Sequence, residues 1–333
     1  MIQNKGMAIR FGFLSVAHMH SWGYASGLAR NAHAEMVGVW DDNDIRASDF
    51  AKLHQMRAFA SASDLLEEVD AVVITSENKR HADLVEMAAA AGKHILCEKP
   101  LATSEEEGER ILTAAERFGV KLMTAFPCRF SPAFQSLLKH VRAGGIGDVR
   151  AVCATNRGTC PFDWFVDPSL SGGGAMIDHT VHVADLLRVL LGCEVDTVAA
   201  QIGNNMYGQG WEDTAMLTLT FQNGTVATLD SSWSRPKAYK TWGDVTMNVV
   251  GDKGTIELDM FNQQLDVYSE GAKSHTIASF GSDLDYALVS AFVDAILKNE
   301  DPPVTGFDGL QAARVAFAGY RSTKLGEPVH LSA

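Results

Sequence analysis

The sequence predicts an α/β protein in two parts: a doubly wound parallel sheet, then an α+β part with a large, mainly antiparallel open sheet. Three observations predict it. Residues 8 to 125 alternate short apolar runs with helical stretches, the pattern of parallel strands joined by helical crossovers. After about residue 126, strand patterns follow one another without helices between them, as antiparallel pairing permits. A chain of 333 residues is long enough for two domains, and Phe126-Pro127 marks a short boundary between 1–126 and 127–333.

In the first part the apolar runs are Ile9–Leu14, Met36–Trp40, Ala71–Thr75, His94–Cys97 and Val120–Thr124. Helical candidates lie near 22–30, 44–53, 63–68, 80–91 and 104–118. Ser104, followed by Glu105, Glu106 and Glu107, offers the last of these a cap and an acidic first turn, which the helix dipole favours. In the second part strands are expected near 148–156, 195–203, 213–221, 224–233, 244–250, 254–259 and 264–269. Ala215, Leu217, Leu219 and Phe221 fall on one face of their strand. Asn223-Gly224 is a hairpin signal, and Gly251-Asp252-Lys253-Gly254 reads as another turn. The helix holding Asp178 and His182, with helices near 284–298 and 308–325, is expected to cover the apolar face. The C-terminal helices can also pack back on the first part.

Composition excludes several classes of function. The formal net charge is −13 with no Lys/Arg-rich run, which argues against nucleic acid or an anionic membrane as partner. No apolar stretch reaches the length of a membrane span; Val183–Leu191 is interrupted by Asp185 and Arg188. Met1–Met7 carries no signal-peptide core and reads as a tail. Cys97, Cys128, Cys153, Cys160 and Cys193 are scattered without CxxC spacing, the pattern of reduced thiols in a cytoplasm.

Two segments carry chemistry. Glu98-Lys99-Pro100 follows the run His94–Cys97, so Lys99 stands at the carboxyl end of a strand, the ligand edge of an open α/β sheet. Pro100 cannot continue the ladder and stiffens the turn. A solvated lysine after an edge strand is the alternative. Further on, Gly172-Gly173-Gly174 precede an amphipathic pattern in which Asp178 and His182 are four apart and share a helix face. Glycines there let a ligand approach the backbone. These segments, with Asp70–Thr75, Asn78 and His81 upstream and Phe126–Phe130 between them, resemble the Gfo/Idh/MocA family of nicotinamide-dependent oxidoreductases. That family acts mostly on sugars and cyclitols, and the resemblance covers nearly the whole chain.

The resemblance implies an N-terminal Rossmann domain that binds NAD(P), and a C-terminal domain that binds substrate and forms homodimers or homotetramers through its sheets. It implies hydride transfer between the cofactor and a secondary alcohol of a sugar, cyclitol or glycoside. Histidine suits the base, so His182 takes that role. Lys99 donates to the same oxygen, and Asp178 fixes a neighbouring hydroxyl or the lysine. The base role can also pass to Lys99. Cofactor contacts are expected from Gly12, Leu14, Ser15, Ala17, His18, Asp41, Thr75, Asn78, His81, Glu98 and Lys99. Leu14 replaces the middle glycine of the fingerprint and serves only if its side chain turns away. Asp41 closes the second strand, where a carboxylate accepts from the ribose hydroxyls and repels a 2′-phosphate, so NAD is favoured over NADP. An ordinary strand-end turn is its alternative.

His18 and His20 meet pyrophosphate, line the nicotinamide mouth or start a helix. No metal is expected there, because no acidic or cysteine ligand is near in sequence. Nor is one expected at His179 and His182, because Asp178 and His179 point in different directions. Substrate contacts are assigned to Arg129, Asn156, Arg157, Trp164, Asp178 and His179. Two alternatives stand beside the dehydrogenase: an NAD-dependent glycosidase of the same fold, and a non-catalytic nucleotide-sensing regulator.

Overall fold

The computed structural model describes residues 8–279 and 281–331; the reading of Met1–Met7 lies outside them. Strands β1 (Ile9–Val16), β2 (Ala34–Trp40), β3 (Arg57–Ala58), β4 (Ala71–Thr75), β5 (His94–Cys97) and β6 (Leu122–Thr124) form one sheet in the order β3-β2-β1-β4-β5-β6. Its pairings are parallel. Helices α1 (Ser21–Ala29), α2 (Asp44–His54), α3 (Ala62–Glu68), α4 (His81–Ala90) and α5 (Glu105–Phe118) make the crossovers. β4 is buried throughout, which is why it reads as an unbroken apolar run: a strand covered on both faces has no polar side to show. Ser104 accepts from the Glu107 N–H at the start of α5, and Gly119 ends that helix at φ 63°. The strand order reverses between β1 and β4, so a crevice opens beyond their carboxyl ends.

Helix α6 (Pro132–Arg142) leads into the second sheet. Its strands are β7 (Val149–Thr155), β8 (Val195–Gly203), β9 (Thr214–Phe221), β10 (Val226–Asp230), β11 (Thr246–Gly251) and β12 (Thr255–Asp259). With the short β15 (Val329–His330) the order is β12-β11-β7-β10-β9-β8-β15. Only β7 and β10 pair in parallel. Ala215, Leu217, Leu219 and Phe221 are all buried, as their alternation requires, and Gly224 takes φ 83° in the β9–β10 turn. β13 (Gln264–Ser269) does not extend this sheet; it pairs only with β14 (Ser274–Ser279) as a separate hairpin. Between β7 and β8 lie α7 (Pro168–Ser171) and α8 (Ala175–Leu191). Every residue of α8 from Ala175 to Arg188 is buried. Its polar side chains therefore need partners inside the protein.

Of the two placements open to the C-terminal helices, helix α9 (Leu284–Lys298) takes the one against the first part. It docks on α1 and the 127–130 turn, not on the second sheet. Leu288, Val289, Phe292 and Val293 are buried there, and Phe292 meets Phe11 of β1 edge-on at 6.2 Å. Burying each such side chain contributes roughly 1.5–3 kcal/mol to this seat. Helix α10 (Gly306–Leu325) covers α8 and β8 and also touches α5 and β6. The Thr124 N–H donates to the Val304 carbonyl at 3.2 Å, and its hydroxyl to the Thr305 carbonyl at 3.1 Å. No helix among the described residues is long and apolar enough to cross a membrane.

Candidate functional site

A cavity of about 430 Å³ lies where the ends of β1 and β5 face the first turns of α8. Lys99 and Asp178 meet in it. The Lys99 Nζ donates to Asp178 Oδ1 at 2.6 Å and to its carbonyl at 3.3 Å. Trp233 Nε1 donates to Oδ2 at 3.0 Å, and His179 Nε2 stands 3.2 Å from it. Burial alone would raise the Asp178 pKa, but Lys99 and His179 hold it well below the usual carboxylate range. His182, one turn further, is the reverse case. Burial, and then the charge of Lys99, push its pKa well below 6.5, so the ring is neutral. A cation, an anion and a neutral imidazole in one enclosure can donate to an oxygen, fix a hydroxyl and accept a proton.

The glycine run before α8 serves the protein, not a ligand. Gly172 takes φ 82°, and a side chain there would overlap Thr103; one at Gly174 would overlap Glu212. The run lets α8 start tightly between its neighbours, which brings Asp178 to Lys99.

At the end of β1, Leu14 is fully buried in a core with Leu65, Val72 and Ile74. Its side chain turns away from the crevice, so the missing glycine does no harm. Gly12 sits within β1 against Leu65. Ser15 adopts φ 64°, and that turn delivers its hydroxyl and the Val16 N–H to Asp41 at 3.0 and 2.7 Å. The Asn43 N–H at 2.8 Å and Arg46 Nε and Nη2 at 2.9 and 2.7 Å complete the set.

With these five bonds Asp41 is 2% exposed and has no lone pair left for a ribose. The expectation for Asp41 is thereby corrected: it fastens the β1–α1 turn to β2. The outward carboxylate is its neighbour Asp42, held by Arg46 at 3.1 Å and Arg80 at 2.8 Å. Asp41→Asn should therefore lower stability by roughly 1–3 kcal/mol, the cost of stranding buried donors. An unchanged urea midpoint would contradict this.

The crevice retains features that fit a dinucleotide. Among the described residues, the Ala17 and Met19 N–H groups just ahead of α1 have no acceptor, and donors at a helix start suit a pyrophosphate. Thr75 braces that turn: its carbonyl accepts from the His18 N–H at 2.8 Å and its hydroxyl donates to the Ser15 carbonyl at 2.7 Å. The Asn78 amide donates to the Ser171 carbonyl at 2.8 Å, while its own oxygen is buried without a partner. His81 does not line the cavity; its Nδ1–H donates to the Pro100 carbonyl at 3.0 Å and fixes the turn after Lys99.

Glu98 is wholly buried. Tyr24 donates to it at 2.6 Å and His20 Nδ1 at 3.2 Å. Burial works against its charge, but His18 and His20 hold its pKa below the usual range. His18, His20 and Glu98 bring three ligand-type atoms within 4.8 Å, an acidic partner that sequence separation concealed. However, His18 Nδ1 accepts the His20 backbone N–H at 3.1 Å. The ring proton then sits on Nε2, 4.0 Å from Glu98, and a protonated nitrogen is no metal ligand. This trio is a hydrogen-bonding wall, and His18 Nε2 has no partner in it.

Of the expected substrate residues, Asn156, Arg157, Asp178 and His179 line the cavity; Arg129 and Trp164 do not. Arg129 forms a two-point pair with Asp185 at 2.7 and 2.5 Å and reaches Asp308 at 3.1 Å, bolting α8 to α10. Trp164 stacks on Phe165 at 3.9 Å and donates to the Ala17 carbonyl at 3.3 Å, so it lies on the β1–α1 turn. Cys128, Trp242 and Asp285 also line the cavity, and the sequence reading assigned none of them to the site. Trp242 sits in a loop without a pattern. Asp285 looks like an ordinary acid in a helix's first turn.

Residues 11–126 match the family described as "Oxidoreductase family, NAD-binding Rossmann fold", and residues 134–257 match the "GFO/IDH/MocA C-terminal domain". The uncharacterized oxidoreductase YrbE of Bacillus subtilis (strain 168) is 31% identical over 321 residues, 92% of each chain. The inositol 2-dehydrogenase of Rhizobium meliloti (strain 1021) is 30% identical over 330 residues, 95% of this chain and 97% of that one. The crystal structure of GenD2 from gentamicin A biosynthesis, in complex with NAD, has a TM-score of 0.90. It covers 99% of this chain and 98% of that one at 22% identity, a likeness of fold.

Proposed function

This chain belongs to the GFO/IDH/MocA family of NAD-binding oxidoreductases, and on that footing we propose that it moves a hydride between a secondary alcohol of a sugar, cyclitol or glycoside and NAD. One observation supports this above the others: Lys99 and Asp178, 79 residues apart, form a buried pair beside a neutral His182. Bound NAD supplies the hydride acceptor. His182 takes the hydroxyl proton, because a neutral ring is a base without prior deprotonation. Lys99 spends two donors on Asp178 and keeps one for the alcohol oxygen, where it stabilises alkoxide character. Asp178 holds the ammonium in place. Ala17 and Met19 N–H groups hold the pyrophosphate at the start of α1.

The test is a turnover screen with NAD over inositols, aldoses and alkyl glycosides, read as NADH absorbance. NADH should accumulate with at least one of them. Aglycone release without net NADH would favour the glycosidase instead. Silence across the whole panel would reject both.

A further inference from the structure

The cavity is lined by charged groups that have partners, with one exception. Lys99 pairs with Asp178 at 2.6 Å, Arg157 with Asp244 at 2.9 Å, Asp283 with Arg30 at 2.6 Å and His20 with Glu98 at 3.2 Å. Asp285, in the first turn of α9, has no ion pair or side-chain hydrogen bond among the described residues, yet it lines the same cavity. It is only partly exposed. Its carboxylate presses on Gly23 of α1, where any side chain would overlap it. The absence of a side chain at position 23 is what gives it room. A half-exposed carboxylate keeps water on it while the cavity is open, and a ligand that displaces that water leaves it needing a donor. When such a group faces a ligand cavity, the missing donor is expected on the ligand.

We propose that Asp285 is a substrate-binding residue that accepts hydrogen bonds from a donor group of the substrate, a hydroxyl or an ammonium. The inference rests on the dehydrogenase reading for treating this cavity as the substrate site. It adds a direction of selectivity. A polyol or amino sugar meets an acceptor beside His20, whereas a sugar acid that placed a carboxylate there would meet a like charge. The residue comes from the helix that docks on α1, so this wall of the cavity is built by chain remote from Lys99 and from α8.

The test is binding to the enzyme–NADH complex, read by NADH fluorescence, with myo-inositol, D-glucose, D-glucosamine and D-glucuronate. For the compounds that the wild type binds, Asp285→Ala should weaken binding roughly 10–100-fold, as loss of a hydrogen bond to a charged group does. D-glucosamine should lose more than D-glucose if the donor is an ammonium, and the two should lose alike if it is a hydroxyl. D-glucuronate should bind worst to the wild type and gain in Asp285→Asn. NADH affinity should not change, and the melting temperature should hold or rise, because the fold loses only an unpaired charge. Affinities for all four compounds within about twofold of wild type, a margin worth under 1 kcal/mol, would overturn the proposal. So would a fall in NADH affinity and melting temperature together, which marks a structural residue, or failure of the wild type to bind any of the four. Asp285-dependent binding without NADH production from NAD would sink the dehydrogenase reading and leave this site standing.

Discussion

Turnover is expected to fall roughly 10²–10⁴-fold when His182 becomes alanine. The ring faces the same enclosure as Lys99 and Asp178, and burial keeps it neutral. The pH profile is the finer test. A depressed pKa means that the neutral form persists as pH falls past the ordinary value of about 6.5. The rate of alcohol oxidation should therefore stay flat down to below that pH and drop only then. An acid limb above it would contradict the burial argument. If His182→Ala stays active but loses the acid limb, the histidine only modulates, and Lys99 becomes the base.

Lys99→Ala is expected to do two things at once. Loss of a donor to the developing alkoxide should cost roughly 10²–10³ in turnover. The same change leaves Asp178 buried with only Trp233 and His179, and breaking a buried pair destabilises by roughly 3–5 kcal/mol. The sign of the pH dependence follows from Asp178. Its folded pKa is depressed by Lys99, among others, so the stability it confers is present above the unfolded value of about 3.9 and is lost as pH falls. The gap between wild type and Lys99→Ala should thus be widest near neutrality and narrow in acid. Urea unfolding near neutral pH and again below about pH 3.9 measures both arms. A gap that is constant with pH would mean that the pair does not hold Asp178 ionised. In Lys99→Ala/Asp178→Asn the loss should be smaller than in Lys99→Ala, because no stranded charge remains.

Much of this molecule was legible in the chain. β4 was visible because a doubly buried strand has no polar alternation, and β9 because a half-buried one has. Lys99, Asp178 and His182 were legible because a strand end and a four-residue spacing are local facts that the fold only had to bring together. What stayed hidden depended on partners distant in sequence. Arg129 looked free for substrate until Asp185, 56 residues on, claimed it. Asp41 looked free for ribose until the Ser15 turn supplied donors from 26 residues back. Glu98 looked like half of a motif, and became the anchor of Tyr24 and His20. The surface under helix α9 stayed open between the second sheet and the first part, because its apolar residues state that it must dock, not where.

The seat of α9 on α1 has a mechanical consequence. The backbone leaves the first sheet after β6, returns when α9 seats on α1, and departs again through Val304 and Thr305 into α10. Two bodies joined by one segment can swing about it. Joined by three segments that do not share a line, they are held like a platform on three legs, and any large swing would have to tear α9 from its seat. Ligand exchange at the cavity is then expected to fall to the lining loops that carry Trp242 and Pro161, with Lys99 and Asp178 staying paired.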